Sequence, residues 1–291
     1  GIREDTYSYA DKAFLAKWSK AIMAEYPNFN IVGEEWTSNP ITVAYWQAGK
    51  VNQDGYVSHL PSLMDFPLYE TMLSALSQAE SWDKGFIELY EMMANDVVYA
   101  DPTNLVLFEG NHDTNRLFSL MNSNLSRYKM AMVYTLTSNR IPQIFYGTEV
   151  LMQSPVEGRH DGIVRGDFPG GWANDLSNAM TKQGLTAEQS NAQQYVSKLL
   201  KFRKTSSAIH NGKLVHYVPE NGTYVYFRVD NSETIMVVMN KNAEQIVLSS
   251  DRFRAQLSGF SMATDVITAK TQTLSPSIAV LANAVLVLKL N

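Results

Sequence analysis

Cysteine is absent from all 291 residues, which excludes disulfides, thiolate nucleophiles and cysteine-ligated zinc. That absence leaves the compartment open, because reduced and oxidising environments both hold cysteine-free proteins. No apolar run reaches the roughly 18 residues that a membrane-crossing helix requires. A basic excess is also missing: 24 Lys and Arg against 29 Asp and Glu give a net charge of −5. A nucleic-acid binder usually carries a basic patch or stripe, so that class has no electrostatic support. With 45% hydrophobic and 18% charged residues, collagen, coiled coil and general disorder are excluded as well. What the chain has in plenty is aromatic: 15 Tyr, 12 Phe and 5 Trp, with 16 Gly available for tight turns. At roughly 100–150 residues per domain, the length suggests two domains, or one large domain with an appendage. No initiator Met precedes Gly1, which opens directly on strand-like sequence.

From Gly1 to about Arg203, short apolar runs alternate with longer amphipathic ones. Residues 11–26 place Phe14, Leu15, Trp18, Ile22 and Met23 at helical spacing, with Asp11 as N-cap and Pro27 as the stop. Helices are also predicted over 66–80, 82–95, 124–137 and 188–203, and strands over 1–5, 30–34, 56–60, 104–108 and 141–146. Strands separated by helices in this way predict a parallel sheet covered by helices. The last 85 or so residues differ in character. Segments 213–219, 223–230, 234–240 and 284–290 are short, β-branched and aromatic, and predict an antiparallel sandwich. The glycine-rich stretch 153–175 reads as a long loop beside the active site.

Charged and polar residues gather just beyond three of the short strands: Asp5, then Glu34, then His112 and Asp113. In parallel α/β folds the C-terminal strand ends face the active site. Carboxylates gathered there suit hydrolysis of a glycosidic bond, which needs one carboxylic acid and one carboxylate nucleophile or base. Tyr7, Tyr9, Trp36, Tyr45 and Trp46 nearby would suit stacking on sugar faces. Each residue alone has a plainer reading: a strand-end acid is most often a cap or surface acid, Trp18 belongs to a core stripe, and Asp54 and Asp65 suit caps or turns. His59, His160, His210 and His216 show no metal-ligand spacing. Spacing alone therefore reaches only a hydrolase or metal-dependent lyase of the parallel α/β type.

Five segments carry more. GIREDTYSY (1–9), NIVGEEW (30–36), MDFPLYETM (64–72), FEGNHDTNR (108–116) and IPQIFYGTE (141–149) resemble the late conserved segments of the α-amylase family of glycoside hydrolases. With DFPGGW at 167–172, the resemblance points to its neopullulanase and cyclomaltodextrinase branch. The resemblance implies an α/β fold with a (β/α)8 TIM-barrel catalytic domain, of which only the second part, strands four to eight, is expected at 1–204. An all-β sandwich is expected at 205–291. Because five strands cannot close an eight-stranded barrel, the chain is expected to be a C-terminal fragment whose full-length parent is the enzyme.

The resemblance also implies roles, position by position. Asp5 matches the nucleophile, Glu34 the general acid/base, and Asp113 the third acid that holds sugar hydroxyls. Strand alternation places Glu34 opposite Glu35, its nearest rival. Arg3 matches the arginine paired with the nucleophile, and His112 the neighbour of the third acid. Tyr7, Tyr9, Trp36, Arg165 and Asp167, with Trp172, are expected to contact substrate. Glu4 departs from the family, which carries an apolar residue there, and so needs a partner or solvent. The implied reaction is hydrolysis with retention of α-glucosidic linkages, mainly α-1,4, in starch-derived glucans, maltooligosaccharides, cyclodextrins or pullulan. The competing reading is an impaired glucan-binding member, against which the survival of all three acids argues. No cofactor or metal is expected in the chemistry. Structural calcium and a homodimer are compatible with the parent, the calcium drawing mostly on a missing part. An α-glucan is the expected partner, with neither nucleic acid nor membrane. The polar surface fits a bacterial periplasmic or secreted enzyme somewhat better than a cytoplasmic one.

Overall fold

The computed structural model describes residues 1–291. Its parallel part begins with β1 (Ile2–Glu4), α1 (Lys12–Glu25), β2 (Ile31–Gly33), α2 (Pro40–Tyr45), β3 (Ser62–Leu63) and α3 (Phe66–Ser77). It continues with α4 (Phe86–Ala94), β4 (Val106–Phe108), α5 (Leu117–Leu120), α6 (Leu125–Thr137), β5 (Ile141–Gln143), α7 (Asp161–Val164) and α8 (Ala187–Thr205). After the short α9 (Ser207–Asn211), eight antiparallel strands follow. They are β6 (Lys213–His216), β7 (Thr223–Val229), β8 (Thr234–Asn240) and β9 (Ile246–Ser249), then, after the single-turn α10 (Arg254–Leu257), β10 (Met262–Asp265), β11 (Thr271–Thr273), β12 (Ser277–Val280) and β13 (Ala284–Leu290).

Local chemistry sets the helix starts. Asp11 accepts the Phe14 N–H at 2.8 Å, Asp65 the Leu68 N–H at 3.1 Å, and Asn124 the Arg127 N–H at 3.0 Å. Each side chain satisfies a backbone donor that the first helical turn leaves without a partner. The strands β1, β2 and β3 pair in parallel, as do β4 and β5. A single bridge between Met64 and Val106 joins the two groups. Gly33 permits the closest approach in this wall, since a Cβ there would lie 2.7 Å from Leu60 and 3.0 Å from the Tyr7 ring.

Two expectations are corrected. No strand runs over 56–60; the third strand is Ser62–Leu63. Leu60 makes only one bridge, to Gln47, and Pro61 has no N–H to donate, so the ladder starts after it. The division of an eight-stranded barrel into a missing part and a remainder of strands four to eight is also corrected. The parallel core over residues 2–143 pairs from β1 to β5 in chain order, beside a separate β-sandwich, with no gap between neighbours.

The antiparallel part has a six-stranded sheet, in the order β11-β10-β13-β8-β7-β6, and a two-stranded sheet, β12-β9. Alternation along β7 and β8 sends successive side chains to opposite faces. Tyr224, Tyr226, Ile235, Val237 and Met239 enter the main core with α3, α6 and α8. Val225, Phe227, Met236 and Val238 enter a second core with Ile278, Val280 and Phe253. Buried Arg228 reaches across the seam and donates to the Thr137 carbonyl at 2.8 Å, at the C-terminus of α6. A cation there complements the negative end of the helix dipole.

Candidate active site

Asp5 stands just past β1 and Glu34 just past β2, in neighbouring strands. One guanidinium joins them: Arg3 Nη1 pairs with Asp5, and Nη2 donates to Glu34 Oε1 at 2.7 Å. Thr6, in a left-handed conformation (φ 45°), turns its N–H toward Glu34 Oε2 at 3.0 Å. Backbone bonds from Glu34 N to Glu4 O and from Tyr7 N to Glu34 O, both 2.9 Å, fix this corner. Glu34 keeps only 5% of its surface exposed, whereas Asp5 is 64% exposed. Burial of the Glu34 carboxyl is tolerable here because both of its oxygens are hydrogen-bonded, one by Arg3 and the other by the Thr6 N–H. Glu4 is only partly buried, which leaves its carboxylate the solvent that its position required.

The third acid arrives from β4. After Phe108 the chain makes a tight turn in which Asn111 Oδ1 accepts the Asp113 N–H at 2.8 Å and Thr114 Oγ1 accepts the Asn111 N–H at 2.9 Å. This turn brings ligand atoms of Asp5, His112 and Asp113 within 4.8 Å of one another. His112 Nε2 lies 3.1 Å from Asp113 Oδ2. On the other side, Arg165 donates through Nη2 to Asp113 Oδ1 at 2.7 Å and through Nε to the His112 carbonyl at 3.0 Å. Arg159 donates to the Asp113 carbonyl at 3.2 Å, and Asp161 ties both arginines, at 2.6 and 3.3 Å. The loop from 153 to 166 is thereby fastened to the third acid. Arg159 was missed in the sequence; its signal is the Arg-x-Asp-x-x-x-Arg spacing, with Asp161 and Arg165 at i,i+4.

The group Asp5, His112 and Asp113 does not fit calcium. That ion takes six to eight oxygen ligands, while this set includes an imidazole and its carboxylates are engaged by Arg3, Arg159 and Arg165. The expectation that a calcium site draws mostly on a missing part finds no support in this group.

The aromatic candidates separate. Tyr7 is buried, its ring edge-on to Trp46 at 5.7 Å, so it supports the corner from within and is not offered to a ligand. Tyr9 and Trp172 are exposed, and Trp36 is half-exposed with its ring stacked on Phe66 at 4.8 Å. Asp167 is exposed and makes no hydrogen bond to the acids. Two further residues went unread in the sequence. Glu109, wholly buried beneath the His112–Asp113 turn, accepts the Phe145 N–H at 2.8 Å through one oxygen, and its other oxygen has no partner. Burial pushes its carboxyl up to about 8, against the pull of the Phe145 amide, Thr148 and Arg116. Arg116, also buried, lies over the Phe145 and Tyr146 rings at 4.2 and 4.8 Å.

Comparison with known proteins places the chain in a family. Residues 5–205 match the family described as alpha amylase, catalytic domain, and 214–289 the cyclo-malto-dextrinase C-terminal domain. The chain is 24% identical over 257 residues to a maltogenic alpha-amylase of Bacillus acidopullulyticus, covering 84% of this chain and 38% of that protein. It is 29% identical over 244 residues to a cyclomaltodextrin glucanotransferase of Niallia circulans, covering 83% of this chain and 30% of that protein. An alpha-amylase from Geobacillus thermoleovorans, solved with acarbose, superposes with a TM-score of 0.75 at 22% identity, over 99% of this chain and 59% of that one. The chain thus spans well under half the length of these two curated relatives. The expectation of a C-terminal fragment is corrected, because a catalytic-domain match and a C-terminal-domain match follow one another along the chain.

Proposed function

Starting from a chain that belongs to the α-amylase catalytic-domain family, we propose that it hydrolyses α-1,4-glucosidic bonds in maltooligosaccharides, cyclodextrins and related glucans, with retention of configuration. The observation that carries this reading is the convergence of Asp5, Glu34 and Asp113, far apart in sequence, on one face under the arginines Arg3 and Arg165. The maltogenic and cyclodextrin-linked names of the relatives support α-1,4-glucans as substrate.

Asp5 attacks the anomeric carbon from its exposed side, while Glu34 delivers a proton to the departing glucosidic oxygen. Arg3 stabilises the Asp5 carboxylate before attack and keeps Glu34 beside it. Water activated by Glu34 then releases the sugar, and Asp5 is regenerated. Asp113 and His112 accept and donate hydrogen bonds to the ring hydroxyls, with Arg165 holding Asp113 in place. Tyr9, Trp36 and Trp172 are exposed surfaces on which glucosyl rings can stack.

The test follows products of maltooligosaccharide, β-cyclodextrin and pullulan by chromatography, and the first anomer released by NMR. Asp5→Asn and Glu34→Gln are expected to lower turnover by several orders of magnitude. Undiminished hydrolysis by Asp5→Asn, or a first product of inverted configuration, would refute the assignment.

A further inference from the structure

Far from the acids, the loop between α3 and α4 presents Trp82 with 96% of its surface exposed. α3 starts beside the strand ends and runs 12 residues away from them, about 18 Å at 1.5 Å per residue. The loop is firmly built. Ser81 N–H donates to the Lys84 carbonyl at 3.1 Å, and Ser81 Oγ to Asp83 at 3.0 Å. Glu80 accepts the Phe86 N–H at 3.2 Å and pairs with Lys241 of β8's end at 2.6 Å. None of these bonds uses the indole. A rigid turn therefore holds a large aromatic face in water, where it contributes no packing.

Trp82 borders a cleft of about 460 Å³ between this loop and the turn joining β6 and β7. Ile87, Val218 and Pro219 supply an apolar floor, and Glu91, Glu220 and Asn221 supply hydrogen-bonding groups at the rim. Charge selects the ligand. Glu80 and Glu220 are neutralised by Lys241 and by Arg252 at 2.9 Å, which leaves Glu91 as the one unpaired carboxylate of the cleft. An anionic ligand finds no free cation there, and a single exposed carboxylate neither holds a metal ion nor recognises a basic peptide. A neutral polyol with one apolar face fits both features: its C–H face covers the indole and its hydroxyls meet carboxylate and amide.

We propose that this cleft is a second saccharide-binding site, which holds glucosyl residues of a long glucan away from the acids. The choice of α-glucan among neutral saccharides rests on the function proposed above; the cleft itself does not. The test is affinity electrophoresis of the intact chain in native gels containing amylopectin or, in parallel, galactomannan, alongside maltotriose hydrolysis. The wild type is expected to be retarded by amylopectin, and Trp82→Ala to raise the apparent Kd about tenfold, or about 1.4 kcal/mol. Trp82→Phe should fall between them, and Asp113→Asn should keep the Trp82-dependent part. Maltotriose turnover should be equal in wild type and Trp82→Ala. The far-UV spectrum of Trp82→Ala should match the wild type, since the turn is held without the ring. No retardation of the wild type in either gel, or equal retardation of Trp82→Ala, overturns the site. Trp82-dependent retardation by galactomannan alone overturns the choice of glucan. Trp82-dependent retardation by amylopectin without any hydrolysis keeps the site and refutes the catalytic reading instead.

Discussion

The buried Glu109 makes folding stability depend on pH in a direction opposite to that of most carboxylates. Its carboxyl is held at about 8 by burial, whereas the unfolded chain releases the same proton near 4.5. Above 4.5, then, the native state binds one more proton than the unfolded state, and stability falls as pH rises. The contribution is fully present below pH 4.5 and is lost by the time pH passes 8. At about 1.4 kcal/mol per pH unit, the whole loss is about 5 kcal/mol. Glu109→Gln keeps an oxygen to accept the Phe145 N–H and cannot ionise. Arg116 and Glu149 also face the site, and both remain in the variant. Urea unfolding followed by circular dichroism at intervals from pH 5 to 8.5 measures the difference. The variant should lead by only about 1 kcal/mol at pH 5 and gain steadily until it is more stable by about 5 kcal/mol at the alkaline end. A gap that stays constant with pH, or that opens in favour of the wild type, refutes the reasoning.

Other consequences are more local. Arg140 and Asp65, each with 2% of the side chain exposed, form a 2.8 Å pair extended by Asp96; Arg140→Met strands Asp65 and should cost about 3–5 kcal/mol in urea unfolding. Arg165 is 43% exposed, so solvent weakens its 2.7 Å bond to Asp113, and Arg165→Gln should lower kcat/KM on maltooligosaccharides only about tenfold. Arg165→Lys should recover little, because one ammonium cannot reproduce both bonds of the guanidinium fork. Thr186 and Gln189 form a reciprocal cap at the start of α8, and Thr186→Ala should cost about 1 kcal/mol, read as a lower Tm.

The strands bearing Arg3, Glu34 and the His112 turn were legible because short apolar runs ended in charge. The third strand was not, since its Ser62 is buried by a hydrogen bond to the Asn104 carbonyl, a partner that no local pattern reveals. α2 went unread because Ile41, Thr42 and Val43 are β-branched and lower helix propensity, although Asn39 and Pro40 suit a helix start. Asp65 was readable as a cap, but its ion pair lies 75 residues away in Arg140. Tyr7 looked like a sugar platform beside the acids; the left-handed turn at Thr6 sends it inward. Glu109 carried no signal at all, because its partner, the Phe145 N–H just past the neighbouring strand β5, lies 36 residues away in sequence.

The sheet between the two cores has a consequence for inheritance. Tyr224, Tyr226, Ile235, Val237 and Met239 belong by sequence to the C-terminal strands, yet they are covered by helices encoded before residue 206. A recombination breakpoint at the α9–β6 junction would join two pieces whose matching surfaces had diverged separately. A β-unit borrowed from a relative would meet an α6 shaped for other side chains, and Arg228 would lose the carbonyl of Thr137. Viable chimaeras should therefore carry α6 and the six-stranded sheet from one parent.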